Sequence, residues 1–197
     1  MKKFVLAAAT AAILVATPAF AADDSGLYIG AGLGNFALDS QGIFNGKDFD
    51  GSDIGFKVFG GYKFMEYLAV EVEYMDGGEP DDNYNVGNDS PERLRANAGF
   101  TGFIGSAVGI LPIGESFDLF AKAGFIMWDA DGDAKVFDGD TTLERASFDN
   151  DGTDFAWAVG GSWYIMESLG LRAEYQGFEI SDFNSVDFAS ASIIWKF

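Results

Sequence analysis

Carboxylates are the only abundant reactive side chains in this sequence. The 197 residues include neither histidine nor cysteine, which removes the commonest general base, the thiolate nucleophile, disulfides and the usual zinc ligands. Aspartate and glutamate together number 31, against 12 lysine and arginine residues. Their spacing singles out no pair of carboxylates for acid–base catalysis, so we expect no enzymatic activity and no cofactor.

One acidic segment has part of the spacing of a calcium-binding loop. Asp129, Asp131, Asp133 and Asp140 stand at positions 1, 3, 5 and 12 of the EF-hand pattern, and carboxylate oxygens are ligands that Ca²⁺ prefers. Glycine is missing from position 6, and position 12 is aspartate rather than glutamate. We interpret the segment as a solvated acidic loop, with calcium binding as the alternative.

The overall charge and composition exclude two further classes of protein. The formal charge of −19 repels phosphate backbones, so we expect no binding to nucleic acid. A strongly charged chain is often disordered, but 48% apolar and 16% aromatic residues are too many for a disordered protein. The composition therefore predicts a folded, β-rich protein.

The first 21 residues have the pattern of a secretory signal peptide. Lys2 and Lys3 precede an uncharged apolar run, and Ala19 to Ala21 form an A-x-A cleavage site. The run is shorter than the about 20 residues that a membrane helix needs. We expect cleavage after Ala21, which leaves residues 22–197 as a single exported domain.

Residues 22–197 divide into eight segments in which apolar and polar side chains alternate, the pattern of half-buried strands. The segments are Gly26–Ala37, Asp53–Phe64, Leu68–Met75, Leu94–Leu111, Phe117–Trp128, Thr153–Ile165, Leu169–Phe178 and Val186–Phe197. The length of most of these segments is close to the 9–11 residues that a tilted membrane strand needs. Three short turns alternate with four longer polar loops, Leu38–Ser52, Asp76–Arg93, Asp129–Gly152 and Glu179–Ser185. This asymmetry is typical of bacterial outer-membrane barrels.

The alternation also sorts the charged residues onto one face, because residues i and i+2 of a strand share a face. That face carries Lys57, Lys63, Arg95, Lys122, Arg172 and Lys196 with Glu71, Glu73, Asp118, Asp154 and Glu174. Six cations against five anions are nearly neutral, as ion pairing in a dry lumen requires. We predict that these residues form an ion-pair network inside a barrel whose apolar face meets lipid. In the fourth strand the same rule assigns Phe100 and Ile104 to the lipid-facing side, opposite Arg95 and Thr101.

Two further patterns support a barrel. The segment from Met65 to Tyr74 matches the one from Met166 to Tyr175 at a constant offset, which suggests a repeated hairpin. The chain ends with Ile193, Trp195 and Phe197 on one strand face. An aromatic last residue after alternating apolar residues resembles the recognition signal of outer-membrane barrel assembly.

The chain resembles the small eight-stranded outer-membrane β-barrel family, which includes the OmpA membrane domain and the opacity-like and OmpX-like proteins. The resemblance lies in Leu27–Gly34, Gly60–Phe64, Leu169–Tyr175 and Ile193–Phe197. It implies an all-β, eight-stranded antiparallel up-and-down transmembrane barrel in the outer membrane. The implied surroundings are membrane lipid and lipopolysaccharide, with the barrel-assembly machinery as a partner during biogenesis and a monomer as the final state. Enzymes of this architecture depend on histidine, which this chain lacks.

The resulting functional hypothesis is a structural or surface-interaction role without catalysis, towards an extracellular ligand that the sequence does not identify. Divalent ions that bridge the acidic loops to lipopolysaccharide are a further hypothesis. A narrow pore or conduit for small molecules is one alternative. A secreted soluble binding barrel is another, because the same alternation also fits a barrel whose apolar face points inward.

Overall fold

A computed structural model describes the backbone of residues 26–44, 47–78, 81–85, 92–138, 141–180 and 185–197. It describes side-chain surroundings for residues 26–38, 51–78, 99–131, 149–180 and 185–197. The predicted signal peptide, residues 1–21, lies outside these ranges and stays a prediction. Among the described residues, no helix is long and apolar enough to cross a membrane.

The described residues form nine antiparallel strands, of which eight close into a barrel. The strands are β1 (Gly26–Phe44), β2 (Lys47–Met65), β3 (Leu68–Asp76), β4 (Asp81–Asn85), β5 (Glu92–Ile113), β6 (Phe117–Asp138), β7 (Thr141–Tyr164), β8 (Leu169–Glu179) and β9 (Ser185–Lys196). Consecutive barrel strands pair, β9 pairs with β1, and β3 pairs with β5, so the sheet is closed. The short β4 pairs with the outer part of β5. The predicted fold class is therefore confirmed.

Two of the four predicted loops are strands instead, and a third, Asp76–Arg93, contains the short β4. The segment Leu38–Ser52 belongs to the hairpin of β1 and β2, and Asp129–Gly152 belongs to the hairpin of β6 and β7, which pair from Phe117 with Trp163 to Asp138 with Thr141. The physical reason is that backbone hydrogen bonds between the paired strands continue through these polar segments. Their amino-acid composition alone indicates turns. Strands β5, β6 and β7 contain 22, 22 and 24 residues, about twice the length that spans a bilayer.

The outward face of the barrel carries a continuous apolar belt. Leu33, Val72 and Phe125 show the pattern, with exposed fractions of 63%, 69% and 64%. The belt ends towards the long hairpins, where outward positions become polar: Asp76 pairs with Thr101, Thr101 with Asp129, and Asp129 with Asp151. We call this side of the barrel the hairpin end and the opposite side the turn end.

The fourth predicted strand, which is β5, has the opposite orientation to the one predicted. Phe100 and Ile104 are buried in the lumen, whereas Phe103 faces outward. In this strand both faces are apolar within the belt and no charged residue lies there, so alternation could not identify the inward face. Arg95 lies outside the residues whose side-chain surroundings are described.

The belt predicts which substitutions the barrel tolerates in a bilayer. Replacing Val72, near the middle of the belt, with arginine should destabilise the barrel by about 2–4 kcal/mol, because the guanidinium would face hydrocarbon. The matched control, Asp131→Arg beyond the belt, should change stability by about 1 kcal/mol or less. Guanidinium unfolding of the two variants in lipid vesicles measures the difference. Equal stabilities would contradict the lipid-facing assignment and favour a soluble barrel.

Candidate functional site

The lumen contains a compact network of buried ion pairs. Lys57 Nζ lies 2.9 Å from Glu174 Oε2 and 3.4 Å from Glu73 Oε2. It also donates a 2.9 Å hydrogen bond to Gln176 Oε1, whose amide nitrogen donates to Glu73 Oε1 at 2.9 Å. Lys57 is completely buried. Every contact of its ammonium group is therefore made with the protein interior.

Glu71 is the residue on which the second half of the network converges. Its carboxylate accepts hydrogen bonds from Tyr28 Oη and Arg172 Nη1, both at 2.8 Å, and from Lys122 Nζ. Lys122 Nζ also lies 2.6 Å from Glu174 Oε1, which joins the two halves. The three cations and three carboxylates balance in charge. This balance is what allows ionised groups to remain in a dry interior.

The topology explains why these side chains meet. Strands β3 and β8 lie on opposite sides of the closed barrel, four strands apart in either direction. The repeated hairpin segment puts Glu71 and Glu73 on β3 at the positions that Arg172 and Glu174 occupy on β8. The two copies therefore face each other across the lumen. The link from Arg172 to Glu71 spans the barrel diameter.

Of the eleven charged residues predicted to form the network, the described structure brings six together. Lys196 Nζ lies 3.2 Å from the ring centre of Tyr164. Lys63 faces the lumen near the turn end but makes no ion pair among the described residues. Asp118 lies beside Tyr164, and Arg95 is outside the described side chains. The sequence analysis missed Tyr28, Ser162 and Gln176, which bind Glu71, Arg172 and Lys57 respectively. The sequence pattern could have identified these three residues, because each lies on the charge-bearing face of its strand.

Apolar side chains fill the lumen on both sides of the network. The lower cluster, towards the turn end, consists of Tyr28, Phe59, Ala69, Val108, Phe120 and Ile194. The guanidinium carbon of Arg172 lies 4.7 Å from the ring centre of Phe59 and 4.6 Å from that of Phe120. The rings of Phe59 and Tyr28 lie over Gly30 and Gly61, where a Cβ atom would collide with them. The glycines of β1 and β2 therefore make room for aromatic side chains.

The upper cluster lies towards the hairpin end. It consists of Phe36, Leu38, Met75, Phe100, Ile104, Ile126, Trp128, Ala130, Ala156, Phe178, Ile180, Val186 and Phe188. Phe100 stacks on Phe36 with ring centres 5.0 Å apart and on Trp128 at 6.1 Å. The Trp128 indole donates a 2.7 Å hydrogen bond to Asp154 Oδ2, which accounts for one further predicted lumen carboxylate. No member of the cluster is more than 6% exposed.

The described part of the acidic segment does not have the loop geometry of an EF-hand. Asp129 and Asp131 lie on β6, not in a loop, and pair across to Asp151 and Asp149 of β7. A strand spaces its side chains along a line, so they cannot surround one ion as a loop does. Among the described residues no group of acidic side chains has the geometry of a metal site. Asp140 lies outside the described residues, and the side-chain surroundings of Asp133 are not described either.

The last residues of the chain lie on the outer surface. Ile193, Trp195 and Phe197 point outward with exposed fractions of 58%, 45% and 72%. They sit on and just after β9, which closes the barrel against β1. Their recognition by the barrel-assembly machinery stays a prediction.

The network predicts a strong effect of losing one charge. Glu71→Ala should destabilise the barrel by about 3–5 kcal/mol, because Lys122 and Arg172 would lose their shared buried carboxylate. Glu66→Ala, at an exposed turn, is the control and should change stability by about 0.5 kcal/mol or less. The measurement is the temperature at which the folded band converts to the unfolded band on SDS gels. Similar temperatures for the two variants would contradict the network.

The paired aspartates predict a stabilising substitution. Desolvation by the neighbouring strands and the carboxylates of Asp149, Asp131 and Asp151 raise the pKa of the exposed Asp129. A carboxyl group with a raised pKa in the folded state is most stabilising when protonated, so the stability contribution falls as pH rises above the ordinary value of about 3.9. Asp129→Asn should therefore raise the melting temperature at pH 7 and low salt, with little effect at pH 3. Thermal melts followed by circular dichroism measure this, and an equal effect at both pH values would contradict it.

Comparisons with known proteins agree with this architecture. Residues 7–197 match the family model described as the outer membrane protein beta-barrel domain. Outer membrane protein A of Shigella flexneri is 31% identical over 196 residues, covering 94% of this chain and 51% of that protein. Outer membrane protein A of Escherichia fergusonii is 29% identical over 194 residues, with the same coverage. The chain thus spans about half the length of the curated relatives it matches.

Solved structures show the same fold. Neisserial surface protein A superposes with a TM-score of 0.60 at 16% identity, covering 88% of this chain and 99% of that one. The attachment invasion locus protein Ail of Yersinia pestis, solved with the heparin analogue sucrose octasulfate, superposes with a TM-score of 0.57 at 16% identity and the same coverage. With the closed barrel and the family match over residues 7–197, the chain belongs to the outer-membrane β-barrel family, and it is an outer-membrane protein.

Proposed function

We propose that this protein is a closed outer-membrane barrel that presents a rigid, acidic sheet to the outside of the cell. The observation that carries the proposal is the length of β5, β6 and β7, which continue well past the apolar belt. With β4, these strands form a four-stranded extension at the hairpin end. Backbone pairing holds these strands side by side, which suits recognition of an external surface.

The charge of this extension supports a cationic partner. Asp129, Asp131, Asp149 and Asp151 form two neighbouring cross-strand pairs on the outward face, and all four are exposed. Like charges directly opposite each other destabilise a sheet, so this arrangement favours whatever neutralises it. The chemistry fits ammonium or guanidinium groups of a partner, or divalent ions between the sheet and anionic lipopolysaccharide. A polyanion such as the heparin analogue bound by Ail would be repelled.

The filled lumen supports a closed barrel rather than a pore. The ion pairs cross from β3 to β8, and apolar clusters lie on both sides of them. The carboxylates of the network are all engaged with cations, which also leaves none of these groups available as a catalytic acid or base. In a non-enzymatic surface role, the ion pairs and the apolar clusters of the interior serve to pack and hold the barrel.

A retention assay tests the surface role. Cells of a Gram-negative host expressing the full chain should be retained on polylysine-coated surfaces several-fold more than cells with an empty vector, and should not be retained on heparin-coated surfaces. The variant Asp129→Asn/Asp131→Asn/Asp149→Asn/Asp151→Asn should lose most of the gain. The control, Glu66→Gln/Glu115→Gln/Glu167→Gln, removes three exposed carboxylates at the turn end and should keep it. Equal retention of all strains would overturn the proposed surface role.

A further inference from the structure

The inside and the outside of the barrel wall change character at the same level. Below the row formed by Asp76, Thr101, Asp129 and Asp151, outward residues are apolar and the lumen holds the ion pairs. Of the inward residues next to this row, Met75 and Trp128 on the turn side and Phe100 and Ala130 on the hairpin side are buried and apolar, whereas Asn150 of β7 is polar and exposed. Near the level where the outer surface becomes acidic, the interior therefore changes from the ion-pair network to mainly apolar side chains.

The switch has a simple physical cause. A wall surrounded by lipid lets apolar side chains face outward, so charged residues must pair inside. A wall surrounded by water reverses this preference, since the lumen is then the only dry place for apolar side chains. The part of the upper cluster beyond the row, which includes Phe100 and Ala130, consequently has the character of a soluble protein core, whereas Ile104 and Ile126 lie behind the belt residues Phe103 and Phe125.

The upper cluster also crosses the whole lumen. Phe100 on β5 reaches Phe36 on β1 at 5.0 Å and Phe178 on β8 at 6.4 Å, and Phe36 reaches Phe188 on β9 at 6.4 Å. These contacts join opposite sides of the barrel, because β5 and β9 lie four strands apart. The aromatic rings of this layer offer an ion no hydrogen-bonding partner to replace its water, and the lumen carboxylate beside them, Asp154, already accepts a hydrogen bond from Trp128. Apolar constrictions of this kind stop ions by excluding water.

We infer that the upper apolar cluster is the barrier that closes the lumen to ions, and that the ion-pair network below it fixes the strands without acting as a gate. The inference rests on the proposed closed barrel and adds the level at which the lumen is blocked. It distinguishes this chain from a barrel in which rearranging a salt bridge would open a path. Lys57 contacts both layers, since its Nζ lies 5.9 Å from the ring centre of Phe188.

Planar-bilayer conductance of four purified, folded proteins tests the inference. The wild type should show no discrete conductance steps. The variant Lys57→Met/Glu174→Gln removes one cation and one anion, keeps the remaining network neutral, and should also stay closed. Adding Phe100→Ala/Phe188→Ala to that variant should produce discrete steps. The control adds Phe125→Ala/Phe155→Ala, a contacting pair on the outer face, and should stay closed.

Each outcome is decisive. A conducting wild type would overturn the closed barrel itself. A closed wild type with a conducting Lys57→Met/Glu174→Gln variant would overturn only the inference, because the network would then be the gate. A variant that stays closed after removal of both phenylalanines would overturn it as well, since closure would lie elsewhere. Boiled and unboiled samples on SDS gels confirm that each variant is folded before its conductance is counted.

A second measurement does not depend on the alanine variants. Trp157→Phe/Trp163→Phe/Trp195→Phe leaves Trp128, inside the upper cluster, as the only tryptophan of the chain. Its fluorescence should be quenched by iodide at least five-fold less than that of free tryptophan, and adding Lys57→Met/Glu174→Gln should not change this. Quenching equal to that of free tryptophan would show a wet upper lumen and would overturn the barrier.

Discussion

The pairing of charges inside a wall that faces lipid is the constraint on which the rest of this structure depends. Glu71 binds groups from β1, β6 and β8 at once, so the positions of these strands are tied to a single carboxylate. Shifting β3 by one residue would turn that carboxylate towards lipid and leave Lys122 and Arg172 unpaired. Buried ion pairs contribute little net stability compared with apolar packing, but they make the wrong arrangement very unfavourable. The network therefore acts mainly on register and on the way the barrel closes.

The same constraint explains the division of the lumen into layers. Where lipid surrounds the wall, apolar side chains can face outward, and the interior holds Lys57 and its partners together with the lower cluster. Where water surrounds the wall, Phe36 and Phe100 have no dry place except the lumen. The same sheet thus places apolar side chains outward in its lipid-surrounded part and inward in its water-surrounded part. The small lower and large upper clusters also keep water from the ion pairs, and a dry environment strengthens each pair.

The accuracy of the sequence analysis follows the same physics. Strands that carry charges in the membrane segment, such as β3 with Glu71 and β8 with Arg172, had an unambiguous inward face. Strand β5 has no charge there, and its two apolar faces left the orientation of Phe100 undetermined until its neighbours were known. The extension from Asp129 to Gly152 was taken for a loop because aspartate and glycine indicate turns, whereas its strand character comes from pairing between β6 and β7. Such pairing is a non-local property that composition does not contain.

The paired aspartates at the hairpin end show that stability alone did not shape this surface. Asp129 opposite Asp151 and Asp131 opposite Asp149 place four carboxylates on neighbouring strands, an arrangement that repulsion disfavours. Screening or binding by cations removes that repulsion, so the extension is most stable where cations are concentrated. A saline environment, a layer of divalent ions at the lipopolysaccharide surface and a basic partner all meet this requirement. The surface is thus suited to cationic surroundings, and the length of β5, β6 and β7 carries it beyond the apolar belt.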